Sequence, residues 1–166
     1  MQLKDKTAII TGGGSGFGAS MADLFAKNGA KVIVADIHID NAKKVAEHIG
    51  GYPVEVDVSN AGSVEKMKEK VFNEYQKVDI LVNNAGTTHL PAPMETIEED
   101  EFDRVFNVNC KSVYLTAKHF VPHFKENKSG VILNIASTAG ISPRPNLNWY
   151  NSSKGWMILA SKTMAV

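Results

Sequence analysis

The chain has 166 residues and lacks the features that mark several special classes of protein. It has a single cysteine, Cys110, so no intrachain disulfide can form, which favours a reducing compartment. Lys+Arg and Asp+Glu both total 18, so the chain has no excess of basic residues with which to bind nucleic acid. It has no apolar run of about 20 residues to span a membrane, and no apolar signal core with a cleavage site. These absences predict a cytoplasmic protein with no nucleic-acid or membrane partner.

The composition is typical of a globular protein. The hydrophobic fraction is 43% and the charged fraction is 22%. No internal repeat, linker or low-complexity tract interrupts the chain. We therefore expect residues 1–166 to form a single domain with a sizeable core.

Short apolar runs alternate with segments of helical periodicity along the whole chain. The runs that predict strands are 7–10, 32–35, 54–58, 80–82 and 131–136. The segments that predict helices follow the glycine cluster at 12–18, then cover 41–49, 64–75, 98–109 and 112–126, with another starting near 149. This alternation predicts an α/β fold, a doubly wound parallel sheet of Rossmann-like type. In such sheets, ligands bind beyond the carboxyl ends of the strands.

A glycine-rich loop joins the first predicted strand to the first predicted helix. It reads Thr11-Gly12-Gly13-Gly14-Ser15-Gly16-Phe17-Gly18. Glycines permit a tight turn and let backbone amides approach a diphosphate, and the helix N-terminus adds partial positive charge. A lone glycine run is weak evidence for such a site, because a flexible turn is the alternative. Its position between a strand and a helix favours dinucleotide binding, with Gly12, Ser15, Gly16, Phe17 and Gly18 as candidate contacts.

Two carboxylates follow the second and third predicted strands. Asp36 would accept hydrogen bonds from the adenosine ribose hydroxyls and would repel a 2′-phosphate, so we expect NAD rather than NADP. A simple capping role at the strand end is the alternative. Asp57, beside Val58, would lie near the adenine amino group, although it would also be at home at the start of a turn.

Tyr150 and Lys154 are four positions apart, so they share one face of a helix. Tyr114 and Lys118 have the same spacing, and context separates the two pairs. Tyr150 lies 13 residues after Ser137, which we place at the ligand-facing end of the fifth strand. We expect Tyr114 and Lys118 to be packing and surface residues.

A serine, a tyrosine and a lysine together suit the chemistry of hydride transfer to a carbonyl. That reaction also moves a proton to the substrate oxygen, and tyrosine at neutral pH is poorly matched to the task. A nearby ammonium favours the ionised phenol. A serine hydroxyl donating to the substrate oxygen polarises the carbonyl.

These motifs make the chain resemble the short-chain dehydrogenase/reductase family along essentially its whole length. The motifs are Thr11-Gly12-x-x-x-Gly16-x-Gly18, Asn83-Asn84-Ala85-Gly86, Asn109, Ser137 and Tyr150-x-x-x-Lys154. The resemblance implies that Tyr150 is the general acid/base, Ser137 the donor to the substrate oxygen and Lys154 the ribose ligand. It implies that Asn109 helps to hold a water in a proton relay through Lys154. Asn84, Ala85 and Gly86 would line the adenosine side and steady the central sheet.

The resemblance also implies features beyond this chain. Members of the family are usually longer and continue past the Tyr-Lys helix, so we expect the chain to be truncated inside that helix, leaving the fifth strand as an open sheet edge. A homodimer or homotetramer is implied for the full-length protein. The expected activity is NAD-dependent oxidation of an alcohol or reduction of a ketone. The alternatives are a 3-oxoacyl-carrier-protein reductase and, for 166 residues alone, a non-catalytic nucleotide-binding protein.

Three further features remain open or are set aside. His119 and His123 are four apart, but they lack a clear third ligand, so we expect no metal site. Cys110 is expected to be a small core residue. Arg144 lies between two prolines, where it would either attract an acidic substrate or be a solvated loop residue.

Overall fold

The computed structural model describes residues 2–166 and contains five strands and six α-helices. The strands are β1 (Thr7–Thr11), β2 (Lys31–Asp36), β3 (Tyr52–Glu55), β4 (Ile80–Asn83) and β5 (Val131–Asn134). The helices are α1 (Gly16–Lys27), α2 (Ile39–Ile49), α3 (Ala61–Tyr75), α4 (Glu99–Phe106), α5 (Ser112–Glu126) and α6 (Asn148–Met164). The predicted strand–helix alternation is therefore confirmed.

All strand pairs are parallel, and the strand order is β3-β2-β1-β4-β5. The order reverses direction at β1, which pairs with β2 on one side and with β4 on the other. This is the doubly wound arrangement expected from the sequence. The carboxyl ends of β1, β2 and β4 converge beside the first turn of α1, which is where the candidate site forms.

The two faces of the sheet are covered by different helices because side chains alternate along each strand. Ile9 points into a core with Met67 of α3 and Phe120 of α5. Its neighbour Ile10 points into a second core with Ala22 of α1 and Ala42 of α2. Each fully buried aliphatic side chain of this kind contributes about 1.5–3 kcal/mol to the stability of the fold.

The sequence predicts two separate helices, at 98–109 and 112–126. This prediction is wrong in one respect, because the two helices are continuous. A π-helical turn, Asn107–Lys111, joins α4 directly to α5. Such a turn holds one residue more than an α-helical turn, and π turns are frequent at functional sites. It contains the fully buried Asn109.

Two strands end earlier than the sequence predicts, because their neighbours end there. Val56 N still donates to Asp36 O at 2.9 Å, but Asp57 N turns away to Ser63 Oγ, so Asp57 lies just beyond β3 and does not close it. Ile135 N likewise donates to Asn83 O at 2.9 Å, after which the chain bends. Ser137 therefore does not end β5 but caps the short 3₁₀ helix Thr138–Gly140.

The helix that carries Tyr150 and Lys154 runs to Met164, followed by Ala165 and Val166. Within residues 2–166, no helix is both long enough and apolar enough to cross a membrane. β5 lies at one edge of the sheet, and Val131 and Leu133 on it are exposed.

Cys110, in the π turn, is buried, and its thiol contacts Ser153 O at 3.6 Å. Burial raises the pKa of the Cys110 thiol to about 11, only partly opposed by the positive charge of Lys154. The expectation of a small core residue is confirmed.

We expect Cys110 to be nearly inert towards a thiol reagent such as DTNB at pH 8 while the protein is folded. A pKa raised by two units leaves about a hundredfold less thiolate, the reactive form, and burial slows access further. Because the thiolate fraction grows as pH rises towards the pKa, the rate should increase with pH, and denaturation in urea should release the thiol. Reaction of native protein at the rate of an exposed cysteine would contradict this packing.

Candidate active site

A cavity of about 510 Å³ opens at the carboxyl ends of β1, β2 and β4. It is lined by nearly all of the residues that the sequence nominates for cofactor binding. These are Gly12, Ser15, Gly16, Phe17, Gly18, Asp36, Asp57, Val58, Asn84, Ala85 and Gly86. The fold therefore gathers segments that are more than 70 positions apart in the sequence into one cleft.

The glycine loop forms one wall, and its glycines are required by geometry. Gly16 has φ +51°, in the left-handed region that favours glycine. A Cβ on Gly18 would lie only 2.0 Å from Gly12 O, so no larger residue fits. Ser15 is the exposed N-cap of α1, and the first amides of that helix have no partners within the helix. The loop thus presents unpaired N–H groups and the positive end of a helix dipole to the cavity.

Asp36 is buried at the end of β2, and its carboxylate accepts two backbone hydrogen bonds. Oδ2 accepts from Gly14 N at 2.9 Å, and Oδ1 accepts from His38 N at 3.0 Å. Asp36 therefore does cap the next segment, as the alternative interpretation holds, but each oxygen keeps a lone pair for a further donor. No lysine or arginine pairs with Asp36 among the residues described. The Asp36 carboxylate is therefore expected to repel a second negative charge placed at this wall of the cavity.

Asp57 uses its carboxylate within its own turn. Its Oδ1 accepts from Ser59 N at 2.9 Å and from Ser59 Oγ at 2.6 Å. Asp57 thus starts a turn, as the alternative expectation holds, and it also lines the cavity.

Asn84 fastens the end of β4 to the glycine loop. Its Nδ2 donates to Thr11 O at 2.8 Å and to Gly12 O at 3.2 Å. In return, Thr11 Oγ1 accepts from Asn84 N at 3.0 Å and from Ala85 N at 3.1 Å. These bonds hold the two central strands in register at the floor of the cavity.

A second, smaller cavity of about 350 Å³ adjoins the first, and it brings Ser137, Tyr150 and Lys154 together. Ser137 Oγ accepts from Ala139 N at 3.1 Å, so the hydroxyl hydrogen is left to donate elsewhere. Lys154 is 5% exposed, and its Nζ lies 6.0 Å from the ring centre of Tyr150. Nζ donates to Ile135 O at 2.8 Å, which leaves two of its three hydrogens free.

Burial lowers the pKa of Lys154, because the ammonium loses solvation, while neighbouring Cys110 opposes the change. The side chain is thus held in an environment that makes its positive charge more effective on groups nearby.

Asn109 is not a lining residue but lies behind both cavities. Its Oδ1 accepts from Thr87 N at 2.8 Å, and its Nδ2 donates to Thr87 O at 2.8 Å and to Ser153 Oγ at 2.9 Å. Ser153 directly precedes Lys154, and Thr87 directly follows Gly86. One amide therefore connects the loop after β4 to the helix that carries Tyr150 and Lys154.

The residues that the sequence analysis set aside lie away from this cleft. Tyr114 and Lys118 are exposed on α5, so Tyr114 belongs to the surface. His123 packs against the Phe72 ring at 4.7 Å between centroids and contacts the Val78 backbone. Within residues 2–166, no group of three or more His, Cys, Asp or Glu side chains is arranged for a metal ion. The backbone of Arg144 is held by the buried Asn151, and Arg144 makes no ion pair among the described residues.

Sequence reasoning missed Thr87 and Ser153. Thr87 lines both cavities, and Ser153 ties α6 to the π turn. The sequence offered one indication of their roles, which is that Thr87 directly follows Gly86 and Ser153 directly precedes Lys154. The partner of both, Asn109, is brought to them by a π turn that the hydrophobic pattern does not reveal.

We expect Asn109→Ala to lower the free energy of unfolding by about 2 kcal/mol, because it leaves the partly buried backbone groups of Thr87 without this partner. The measurement is urea denaturation of both proteins. Asn107→Ala is the matched control, since Asn107 lies in the same π turn but its side chain makes no hydrogen bond within the described residues. Equal losses in the two variants would show that the Asn109 amide has no special role.

Comparison with known proteins places this architecture in a family. The sequence profile described as short chain dehydrogenase matches residues 6–166. The chain is 42% identical to 4-formylbenzenesulfonate dehydrogenase of Comamonas testosteroni, aligning over 100% of this chain and 68% of that protein. It is 36% identical to a 3-oxoacyl-[acyl-carrier-protein] reductase of Thermotoga maritima, over 99% of this chain and 69% of that protein.

A solved structure shows the same fold. The crystal structure of 3-ketoacyl-(acyl-carrier-protein) reductase from Brucella melitensis, complexed with NADH, matches with a TM-score of 0.96 and 47% identity. It covers 98% of this chain, and the chain covers 70% of that structure. The chain therefore belongs to the short-chain dehydrogenase/reductase family of oxidoreductases.

Proposed function

We propose that this chain forms the cofactor-binding and catalytic part of an NAD(H)-dependent oxidoreductase that interconverts an alcohol and a carbonyl compound. The observation that carries the proposal is the second cavity, in which Ser137, Tyr150 and Lys154 meet beside the cleft behind the glycine loop. Bound NAD(H) would donate the hydride during reduction or accept it during oxidation, and the protein would orient the substrate and move the proton.

The first cavity has the chemistry that a dinucleotide requires. The free amides at the start of α1 suit a diphosphate. Gly18 packs closely against Gly12, and because neither residue has a side chain, the diphosphate could approach the backbone there. Gly12, Ser15, Gly16 and Phe17 would lie along the diphosphate. Val58, Ala85 and Gly86 would line the path between the adenosine and nicotinamide ends, with Asn84 beneath it.

The cofactor preference rests on Asp36. Its carboxylate lines the adenosine end of the cavity and pairs with no lysine or arginine within residues 2–166, so a 2′-phosphate there would be repelled by its negative charge. The remaining lone pairs suit the two hydroxyls of an unphosphorylated ribose. Asp57 would approach the adenine amino group. We therefore assign NAD, with NADP the weaker ligand.

The three residues of the second cavity divide the proton chemistry between them. The Tyr150 hydroxyl would give its proton to the substrate oxygen during reduction and take it back during oxidation. The Lys154 ammonium, close to the Tyr150 ring, would stabilise the phenolate that results, and its free hydrogens would bind the nicotinamide ribose. The Ser137 hydroxyl, whose hydrogen is free, would donate to the same substrate oxygen.

Asn109 would act from behind these residues. Because both hydrogens of its amide donate to Thr87 and Ser153, its first task is to place Gly86, Thr87 and Lys154 relative to one another. Help in holding a relay water beside Lys154, implied by the family resemblance, stays a prediction and would have to use its other polar atoms.

A reductase of 3-oxoacyl groups on an acyl carrier protein is a second candidate. It is favoured by the 47% identity to the Brucella melitensis reductase, whose crystal structure contains NADH. The NADH in that structure makes such an activity compatible with the preference for NAD that we assign to Asp36. Arg144, on the loop before Tyr150, is exposed and makes no ion pair within residues 2–166, which suits an acidic carrier. The 42% identity to a dehydrogenase of an aromatic aldehyde favours a small carbonyl substrate instead.

We also propose a homodimer or homotetramer for the full-length protein, located in the cytoplasm. Apolar side chains on α5 and α6 are exposed, among them Tyr114, Trp156 and Leu159, and a partner subunit would cover them. The free, buried thiol of Cys110 fits a reducing compartment.

We expect Asp36→Ala to reduce the preference for NADH over NADPH by about tenfold or more, because the repulsion of the 2′-phosphate is removed. The measurement is the Kd of each cofactor by fluorescence titration. Asp40→Ala removes the same charge from the exposed first turn of α2 and should leave the ratio unchanged. A ratio that is identical in wild type and Asp36→Ala would refute the role of this carboxylate.

We expect Tyr150→Phe to reduce turnover by about 10²–10⁴-fold with little change in NADH affinity, because only the transferable proton is lost. Turnover is followed by NADH absorbance with an aromatic aldehyde. Tyr114→Phe, at the exposed tyrosine of the same Tyr-x-x-x-Lys spacing, should stay within about twofold of wild type. Equal losses from the two substitutions would show that the wrong tyrosine has been chosen.

A further inference from the structure

Thr87 occupies the junction of the two cavities. Four residues line both of them, namely Phe17, Asn84, Gly86 and Thr87. A dinucleotide that extends from the adenosine end to the catalytic end has to pass this point. Of the four, only Thr87 carries a hydroxyl.

The backbone of Thr87 is fully engaged by the protein. Its N–H donates to Asn109 Oδ1 and its carbonyl accepts from Asn109 Nδ2, both at 2.8 Å. Because Asn109 is completely buried, this pair of bonds fixes the position of the residue. The side-chain hydroxyl is then the one hydrogen-bond donor of Thr87 that is left to meet a ligand.

Arg104 determines which way that hydroxyl can act. Its Nη1 donates to Thr87 Oγ1, while its Nη2 donates to Thr88 O at 3.1 Å and to Glu101 Oε1 at 3.0 Å. A guanidinium has no acceptor, so Thr87 Oγ1 must accept this bond and its own hydrogen remains available.

Within residues 2–166, the Thr87 hydroxyl donates to no protein acceptor. The hydroxyl of neighbouring Thr88, by contrast, already donates to His89 O at 3.0 Å. Thr87 therefore presents a hydrogen-bond donor where the two cavities meet. Because Arg104 has no acceptor, the Thr87 hydroxyl cannot donate its hydrogen to that neighbour.

We propose that the Thr87 hydroxyl is a cofactor-binding donor to an oxygen of the bound dinucleotide, in its diphosphate or its nicotinamide-side ribose. Arg104 is the positioning residue that keeps the hydroxyl in its donor role. The inference rests on the proposed binding of NAD(H), and it adds to that site a contact that is made by a side chain.

The test is fluorescence titration of the purified chain with NADH. Thr87→Val keeps the shape of the side chain but removes the donor, and it should raise the Kd about fivefold, the usual effect of one hydrogen bond. Thr87→Ser keeps the hydroxyl and should restore the wild-type Kd. Thr96→Val is the control, because Thr96 lies on the same loop outside both cavities and its hydroxyl donates to Pro93 O. If Thr87→Val yields no folded protein, Thr87→Ala removes the same donor.

Arg104→Gln tests the positioning role by a double-mutant cycle. It should weaken NADH binding by about twofold to threefold in the wild-type background and have no further effect in Thr87→Val. Equal effects in both backgrounds would overturn the role of Arg104.

Titration with ADP and with ADP-ribose identifies the oxygen. If Thr87→Val weakens both ligands, the acceptor is in the diphosphate, and if it weakens only ADP-ribose, the acceptor is in the second ribose. An unchanged Kd for NADH, with wild-type binding intact, overturns this inference alone. Failure of the wild-type chain to bind NADH at millimolar concentration overturns the inference and the proposed function together.

Discussion

The Asn109 side chain is the contact on which the arrangement of the whole cleft depends. The loop after β4 forms the junction of two cavities, and α6 carries the tyrosine and the lysine, yet these two elements are separated by more than 50 positions in the sequence. A single buried amide joins them through Thr87 on one side and Ser153 on the other. Another contact between the two elements, the bond from Trp149 Nε1 to Met94 O at 3.3 Å, is exposed, whereas the Asn109 amide is a buried link between the nucleotide cleft and the catalytic groups.

The protein also prepares its polar groups before any ligand arrives. Asp36 is held by two backbone amides, Ser137 accepts one, and Thr87 accepts from an arginine. In each case a hydrogen bond within the protein determines whether a lone pair or a hydroxyl hydrogen remains free for the ligand. Asp36 can only accept further bonds, whereas the two hydroxyls are left to donate. Pre-arrangement of this kind reduces the reorganisation that binding and catalysis would otherwise require.

Much of this arrangement could be predicted from the sequence because it follows from local rules. Alternating apolar runs predict the parallel sheet, and a glycine loop between a strand and a helix predicts the nucleotide end. The ends of β3 and β5 could not be predicted, because each is determined by the neighbouring strand. The stretch from 54 to 58 is apolar enough for a longer strand, but β2 ends at Asp36 and leaves it nothing to pair with. The roles of Thr87 and Ser153 depend on contacts across the fold and have no pattern of their own.

Because of the π turn at Asn107–Lys111, the orientation of α5 depends on the exact number of residues between α4 and α5. Each residue of an α-helix advances the chain by about 100° around the axis, and the π turn absorbs one extra residue. Loss of that residue would leave the helix unbroken but would rotate α5 relative to α4. Thr116, which now donates to Asn83 Oδ1 at 2.9 Å, would be carried off the sheet together with the apolar face beside it. A deletion in the π turn is therefore expected to disturb the packing of α5 on the sheet, even if it removes no residue that lines either cavity.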